Sequence, residues 1–178
     1  MGLDITAYGN VEKIADLPYN KKGVDWNKVE ELELGRGART LTKNDNFPEH
    51  CLDLEEAVYQ INGESHGFRA GSYSGYNRFR NLLCQVMVGG SDQDVWRDPQ
   101  MFKERPFFEL INFSDCEGTI GPAVSAKLYQ DFVDNEEQFL KSTVVTQDQL
   151  DREWVKTCYS NWKRAFELAK DHGFVSFH

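Results

Sequence analysis

The chain opens on an alternation in which Leu3, Ile5 and Ala7 are apolar and Asp4, Thr6 and Tyr8 carry polar groups. A period of two is what a half-buried strand requires, so residues 3–8 are expected to be extended, with the pattern carrying on toward Ile14. A second extended run, AVYQI at 57–61, is followed by Asn62-Gly63 and then by HGFRAG. Asn-Gly between two extended segments predicts a tight hairpin. From Ser74 the spacing lengthens to three and four. Tyr76, Phe79, Leu83, Val86 and Met87 predict a helix over 75–88, with Ser74 as its N-cap and Gly89-Gly90 as its stop.

The remaining segments follow the same logic. FFELINF at 107–113, bounded by Pro106 and the polar SDCEG, predicts a compact strand. The stripe Ile120, Val124, Leu128 and Phe132 predicts a helix with Pro122 tolerated in its first turn. Trp154, Cys158, Trp162, Ala165, Phe166 and Ala169 predict a long helix over 147–171, ended by Gly173 and followed by a strand at 174–177. Residues 18–52 show no sustained period beyond a short extended stretch at 29–34 and read as a long irregular excursion, and SDQDVWRDPQ reads as a charged loop. Strands come first, then helices interleaved with two more strands. The expected class is α+β: a single compact domain over 1–178, its small, mostly antiparallel sheet packed against about three helices.

Composition narrows the function. At 178 residues, with 40% hydrophobic and 13% aromatic positions, the chain can bury a core without disulfides. Cys51, Cys84, Cys116 and Cys158 lie far apart with no C-x-x-C pair, so no metal centre, redox pair or cofactor is expected, and Cys84 and Cys158 fall on helical apolar faces as packing residues. A net charge of −9 argues against non-specific nucleic-acid binding, which needs clustered positive charge. The absence of a long apolar run or a secretory pattern points to a cytoplasmic protein.

Against that acidic background GFRAGSYSGYNRFR, residues 67–80, is basic and rich in glycine. Gly63, Gly67, Gly71 and Gly75 recur every four residues. In an extended chain they share one face with Ser65, Arg69 and Tyr73, leaving His66, Phe68 and Ala70 as the packing side. Arg69, together with Ser72, Asn77 and Arg78 at the start of the next helix, has the donors a phosphate or carboxylate needs, and Tyr73 or Tyr76 could stack on a base. A second cluster, Asn112, Ser114, Asp115, Cys116 and Glu117, puts several polar heads in one turn ahead of a helix. Asn112, Ser114, Asp115 and Glu117 are expected to complete the wall of a pocket. Asp115 and Glu117, with His66, are the candidates for acid–base catalysis, and Cys116 would need a nearby histidine base to act as a nucleophile. The competing reading is a glycine-rich hairpin whose arginines pair with surface acids, beside a turn whose carboxylates complement a helix dipole.

Four blocks, MGLDITAY, GFRAGSYSGYN, ELINFSDCEG with VSAKL after it, and a closing segment that carries AFELA, resemble a family of uncharacterised bacterial and bacteriophage proteins with no established activity. The resemblance implies a bacterial or infected-host cytoplasm and transfers no catalytic residues. In that setting the expectation is a protein that sequesters a phosphorylated or nucleotide-like molecule, a counter-defence signal sponge, without turning it over. A host-protein-binding inhibitor with an acidic surface, and a small phosphoester or nucleotide hydrolase using Asp115 and Glu117, are the alternatives. Homo-oligomerisation is left open.

Overall fold

The opening alternation forms β1 (Leu3–Tyr8), whose Leu3, Ile5 and Ala7 are buried while Asp4 is exposed. The structure is a computed structural model that describes residues 2–114, 117–146 and 149–178. Beyond β1 the chain forms β2 (Val11–Asp16), the two-residue strands β3 (Tyr19–Asn20) and β4 (Gly23–Val24), α1 (Trp26–Arg36), β5 (Ala38–Leu41) and a single 3₁₀ turn at Pro48–Cys51. β6 (Ala57–Ile61), β7 (Ser65–Gly71) and α2 (Tyr73–Met87) follow. Three short helices, α3 (Asp92–Arg97), α4 (Pro99–Phe102) and α5 (Phe108–Asn112), lead to β8 (Gly118–Ile120). The chain then runs through α6 (Pro122–Asp134), α7 (Glu136–Lys141), α8 (Thr143–Thr146), α9 (Gln149–Ala169) and β9 (Phe174–Phe177). The fold is α+β, with a four-stranded sheet ordered β7-β1-β9-β8 and a three-stranded sheet ordered β2-β6-β5, both antiparallel.

One ribbon serves both sheets. β1 pairs with β7, Tyr8 opposite Ser65, and β2 pairs with β6, Val11 opposite Ile61. Between them Gly9 N donates to Glu64 O at 2.9 Å, Asn62 N to Asn10 O at 3.0 Å and Gly63 N to Gly9 O at 3.1 Å, so the pairing continues through the bend. The first strand therefore does not run on to Ile14 within one sheet. Nor is Asn62-Gly63 a hairpin: β6 and β7 lie in different sheets and never pair with each other. Gly63 is needed for close backbone approach, since a Cβ there would sit 2.6 Å from the Gly9 carbonyl oxygen.

Other expectations change for identifiable reasons. Residues 29–34 lie in α1, where Val29 and Leu32, three apart on one face, pack on Leu17, Ala38 and Val58. The supposed charged loop holds α3, started by a capping box in which Ser91 and Asp94 satisfy each other's backbone N–H groups. The expected strand at 107–113 is instead α5, with Phe108, Leu110 and Ile111 buried and Glu109 and Asn112, three apart, half-buried on one side, a helical spacing in a segment too short for it to stand out. Ile120 belongs to β8 rather than to the helix stripe, and Pro122 opens α6. α2 begins two residues before the expected start, capped by Ser72, whose Oγ accepts from Gly75 N at 3.2 Å. Positions 147 and 148, the expected start of the last helix, lie outside the described residues.

The main core fills the space between one face of the four-stranded sheet and helices α2, α6 and α9. At its centre Trp162 contacts the rings of Phe68, Tyr76, Phe166 and Phe177, with centroids 5.1–5.7 Å apart. Cys51, Cys84 and Cys158 are buried free thiols, each pushed up to about 11 by burial, as expected of packing residues. On the opposite sheet face Tyr8 and Phe174 are covered by a second small core, while Asp4, Gly67 and Arg69 stay open to solvent. Two of the periodic glycines thus differ in kind. Gly63→Ala is expected to cost about 1–3 kcal/mol by forcing the ribbon apart. Gly67→Ala, whose Cβ would find its nearest neighbours at 3.9 Å, is expected to change stability by less than about 0.5 kcal/mol. Urea denaturation of the two variants checks both.

Candidate functional site

The polar cluster after α5 is organised from the carbonyl end of that helix. A helix leaves its last carbonyls without partners along the chain. Here side chains from three other elements reach this end of α5, in addition to the Phe113 N bond that Glu109 O accepts at 3.2 Å. His50 Nε2, from the 3₁₀ turn, donates to Glu109 O at 2.8 Å, and Trp96 Nε1, from α3, donates to Ile111 O at 2.9 Å. Tyr76 Oη, from α2, donates to Phe113 O at 3.3 Å, and Arg80 Nη1 donates to the same oxygen. The start of α5 is tied down as well: Phe107 N donates to Asp131 Oδ2 at 2.8 Å, and Phe107 adopts a left-handed φ of 62°.

Arg80 is only 1% exposed. Among the described residues no carboxylate lies within ion-pair distance of it. Its charge is met by the Phe113 carbonyl, by Asn77 Oδ1, and by the faces of Tyr76 and Trp96, whose centroids are 4.2 and 5.1 Å from its guanidinium carbon. Its Nε is buried without a hydrogen-bond partner. His50 is equally buried. Burial pushes its imidazole below the ordinary value, so Nε2 keeps its proton for Glu109 O and Nδ1 stays bare, with Glu49 Oε1 3.6 Å away.

These anchors leave Asn112 and Ser114 at the wall of a cleft of about 540 Å³. Phe47, Phe108 and Trp96 provide its aromatic surface, and Asn46, Glu49, Gln100 and Lys103 its other polar heads. A volume of this size suits a small molecule. The walls come from residues 46–49, 96–103 and 108–114, and the first two of these were missed by sequence reasoning. The Ser91…Asp94 spacing could have placed Trp96 on a helix, but nothing local shows that this helix faces Asn112.

The arginine island does not line this cleft. Tyr76 is buried against Trp162 and Phe177, which removes it as a base-stacking platform. Asn77 is engaged by Arg80, and Ser72 is occupied as the cap of α2. Arg78 is exposed, and its guanidinium carbon lies 5.0 Å from the ring of Trp154. Arg69 is exposed on the open sheet face, its guanidinium lying against Gly2, where a Cβ would come within 2.1 Å of Nη2. Among the described residues, the two segments expected to enclose one cavity meet through Tyr76 and Arg80 on Phe113. The Tyr73 side chain, Asp115 and Cys116 lie outside the described residues.

Of the proposed acid–base set, His66 and Glu117 do not come together. His66 sits on β7 with its ring 5.5 Å from Phe68, whereas Glu117 is exposed just ahead of β8. β7 and β8 are opposite edges of the four-stranded sheet, three strand spacings or about 14 Å apart. Glu117 contributes its backbone, accepting from Asn44 Nδ2 at 2.7 Å. Among the described residues no three His, Cys, Asp or Glu side chains gather to hold a metal ion, and no helix is long and apolar enough to cross a membrane. Compared with protein-family models, curated proteins and solved structures, the chain finds no match in any of the three.

Three outcomes follow, two of them from the anchors. Arg80→Ala leaves the Phe113 carbonyl to the longer Tyr76 bond and opens a void, an expected loss of about 2–4 kcal/mol. Arg69→Ala, exposed and outside any ion pair among the described residues, is expected to stay within about 0.5 kcal/mol of wild type in the same denaturation assay. For His50, the folded chain refuses a proton that the unfolded chain accepts. Its contribution is therefore complete above about pH 6.5 and is lost as the pH falls below that value. His50→Gln should show a shallower decline in unfolding free energy between about pH 7 and 5 than wild type.

Proposed function

We propose that the chain is a small-molecule-binding module that holds a phosphorylated or nucleotide-like ligand in the Trp96–Asn112–Ser114 cleft. The observation that carries this reading is the composition of the cleft wall: flat aromatic surface from Phe47 and Trp96 beside the Lys103 ammonium and the amide and hydroxyl groups of Asn46, Gln100, Asn112 and Ser114. A planar ring packs on the aromatic surface, the ammonium attracts an anionic group, and the amides and hydroxyl orient ring edges or sugar hydroxyls. Trp96 is pinned through its indole N–H, so that wall is set before a ligand arrives. His66 and Glu117 stand on opposite edges of the sheet, which counts against a catalytic pair made of those two. The resemblance to bacteriophage proteins alone supplies the setting in which such a module would sequester a nucleotide-type signal.

The test is a thermal-shift and tryptophan-fluorescence titration with nucleosides, mononucleotides, cyclic dinucleotides, ADP-ribose and sugar phosphates. At least one is expected to raise the melting temperature and change Trp96 emission, with Lys103→Ala and Asn112→Ala each weakening it about tenfold or more and Arg69→Ala leaving it unchanged. Silence across the panel overturns the reading. A shift that survives Lys103→Ala and Asn112→Ala but disappears in Arg69→Ala moves the ligand to the arginine island instead.

A further inference from the structure

Among the described residues β7 is the longest edge strand of the two larger sheets, with seven residues and β1 alone as a strand partner. An unpaired strand edge is a template for another strand, and proteins usually blunt it with charges, bulges or brevity. The other edges here are blunted. β2 carries Glu12, Lys13 and Asp16 and has a register irregularity between Lys13 and Ala15, β8 has three residues, and β5 has four, including Arg39. β7, Ser-His-Gly-Phe-Arg-Ala-Gly, has no proline, no acid and one arginine, which lies on the open face rather than pointing into the core, and its register irregularity against β1 is confined to its Ala70–Gly71 end, leaving Ser65–Arg69 regular. Its flank also leaves apolar surface uncovered. Phe68, packed edge-on against Trp162, is only half-buried.

The sequence of this edge fits a second copy of itself. We infer that two chains associate by antiparallel pairing of β7 with β7 of the partner copy, about a two-fold axis at Phe68, joining the two four-stranded sheets edge to edge. In that register each Phe68 covers the exposed flank of the other. Residue 67 of one copy faces residue 69 of the other on the open face, within the part of β7 whose register against β1 is regular. Arg69 then meets bare Gly67, and no like charges stand opposite one another. A two-fold axis one pair further on would set Arg69 against Arg69, and one pair back would leave Phe68 facing His66. This explains why the position opposite the one charged residue of the strand carries no side chain. The contact is independent of the Trp96 cleft, so the two proposals fail separately.

Gly67 makes the test clean, because its backbone angle is ordinary and an added Cβ would meet only Ile5 O and Thr6 Oγ1 at 3.9 Å. Sedimentation equilibrium and light scattering over a concentration series should show a reversible monomer–dimer equilibrium for the wild-type chain. Gly67→Lys puts a cation opposite Arg69 twice, once on each side of the axis, and should weaken dimerisation about tenfold or more while the far-ultraviolet dichroism stays unchanged. Gly67→Asp should hold or tighten the dimer, and Arg69→Glu combined with Gly67→Lys should restore it. A wild-type chain that remains monomeric throughout overturns the inference. So does a dimer indifferent to Gly67→Lys, or one that Gly67→Asp weakens as much as Gly67→Lys does, since that result would centre the pairing on residue 67.

Discussion

Everything near the cleft depends on how the carbonyl end of a five-residue helix is satisfied. α5 is too short to hold itself together by backbone bonds alone, because forming a first turn fixes several residues for a single hydrogen bond. Its stability is lent by His50, Trp96, Tyr76 and Arg80, which reach its oxygens from the 3₁₀ turn, α3 and α2. That arrangement carries a cost. Two ionisable side chains are taken out of water, one kept neutral and the other kept charged between two aromatic rings. The return is a rigid support for Asn112 and Ser114, fixed by donors from parts of the chain that are remote from one another in sequence.

The elements legible in the sequence carried a local signal of their own. β1, α2 and most of α6 and α9 bury one side and show a clear period, β6 and β9 are short apolar runs buried on both faces, and the observed bounds fall within a few residues of the pattern. α5 was misread because it is too short for its period to stand out: Phe108, Leu110 and Ile111 are buried, and the half-buried Glu109 and Asn112, three apart, mark a helix in five residues. α1 was hidden because its charged residues outnumber the few apolar ones that touch Leu17, Ala38 and Val58. Asn62-Gly63 was misread because one dipeptide serves both a tight turn and a close crossing of two backbones, and only the position of Gly9 decides between them.

The candidate site was half legible. Asn112 and Ser114 do line a cleft, but Trp96, Phe47 and Lys103 come from segments whose local sequence reads as loop. The arginines, conspicuous in an acidic chain, divide by position along the island. Arg69 is on a strand face, Arg78 on the outer side of α2, and Arg80 on the inner side, where it became part of the scaffold. Helical spacing accounts for the last pair, since residues two apart on a helix point to different sides.

The order β7-β1-β9-β8 places the first and last strands of the chain side by side. Sequentially remote pairing of this kind is slow to form, because most of the chain must be looped before the ladder begins. On the ribosome, β1 therefore waits with one flank bare, and Trp162 lacks the Phe177 ring beside it, until residue 177 has cleared the exit tunnel. The helical layer and the bent ribbon can assemble earlier, but only as an open half-sandwich with aromatic surface exposed. Such a nascent chain is most vulnerable to aggregation and proteolysis in the interval before β9 emerges.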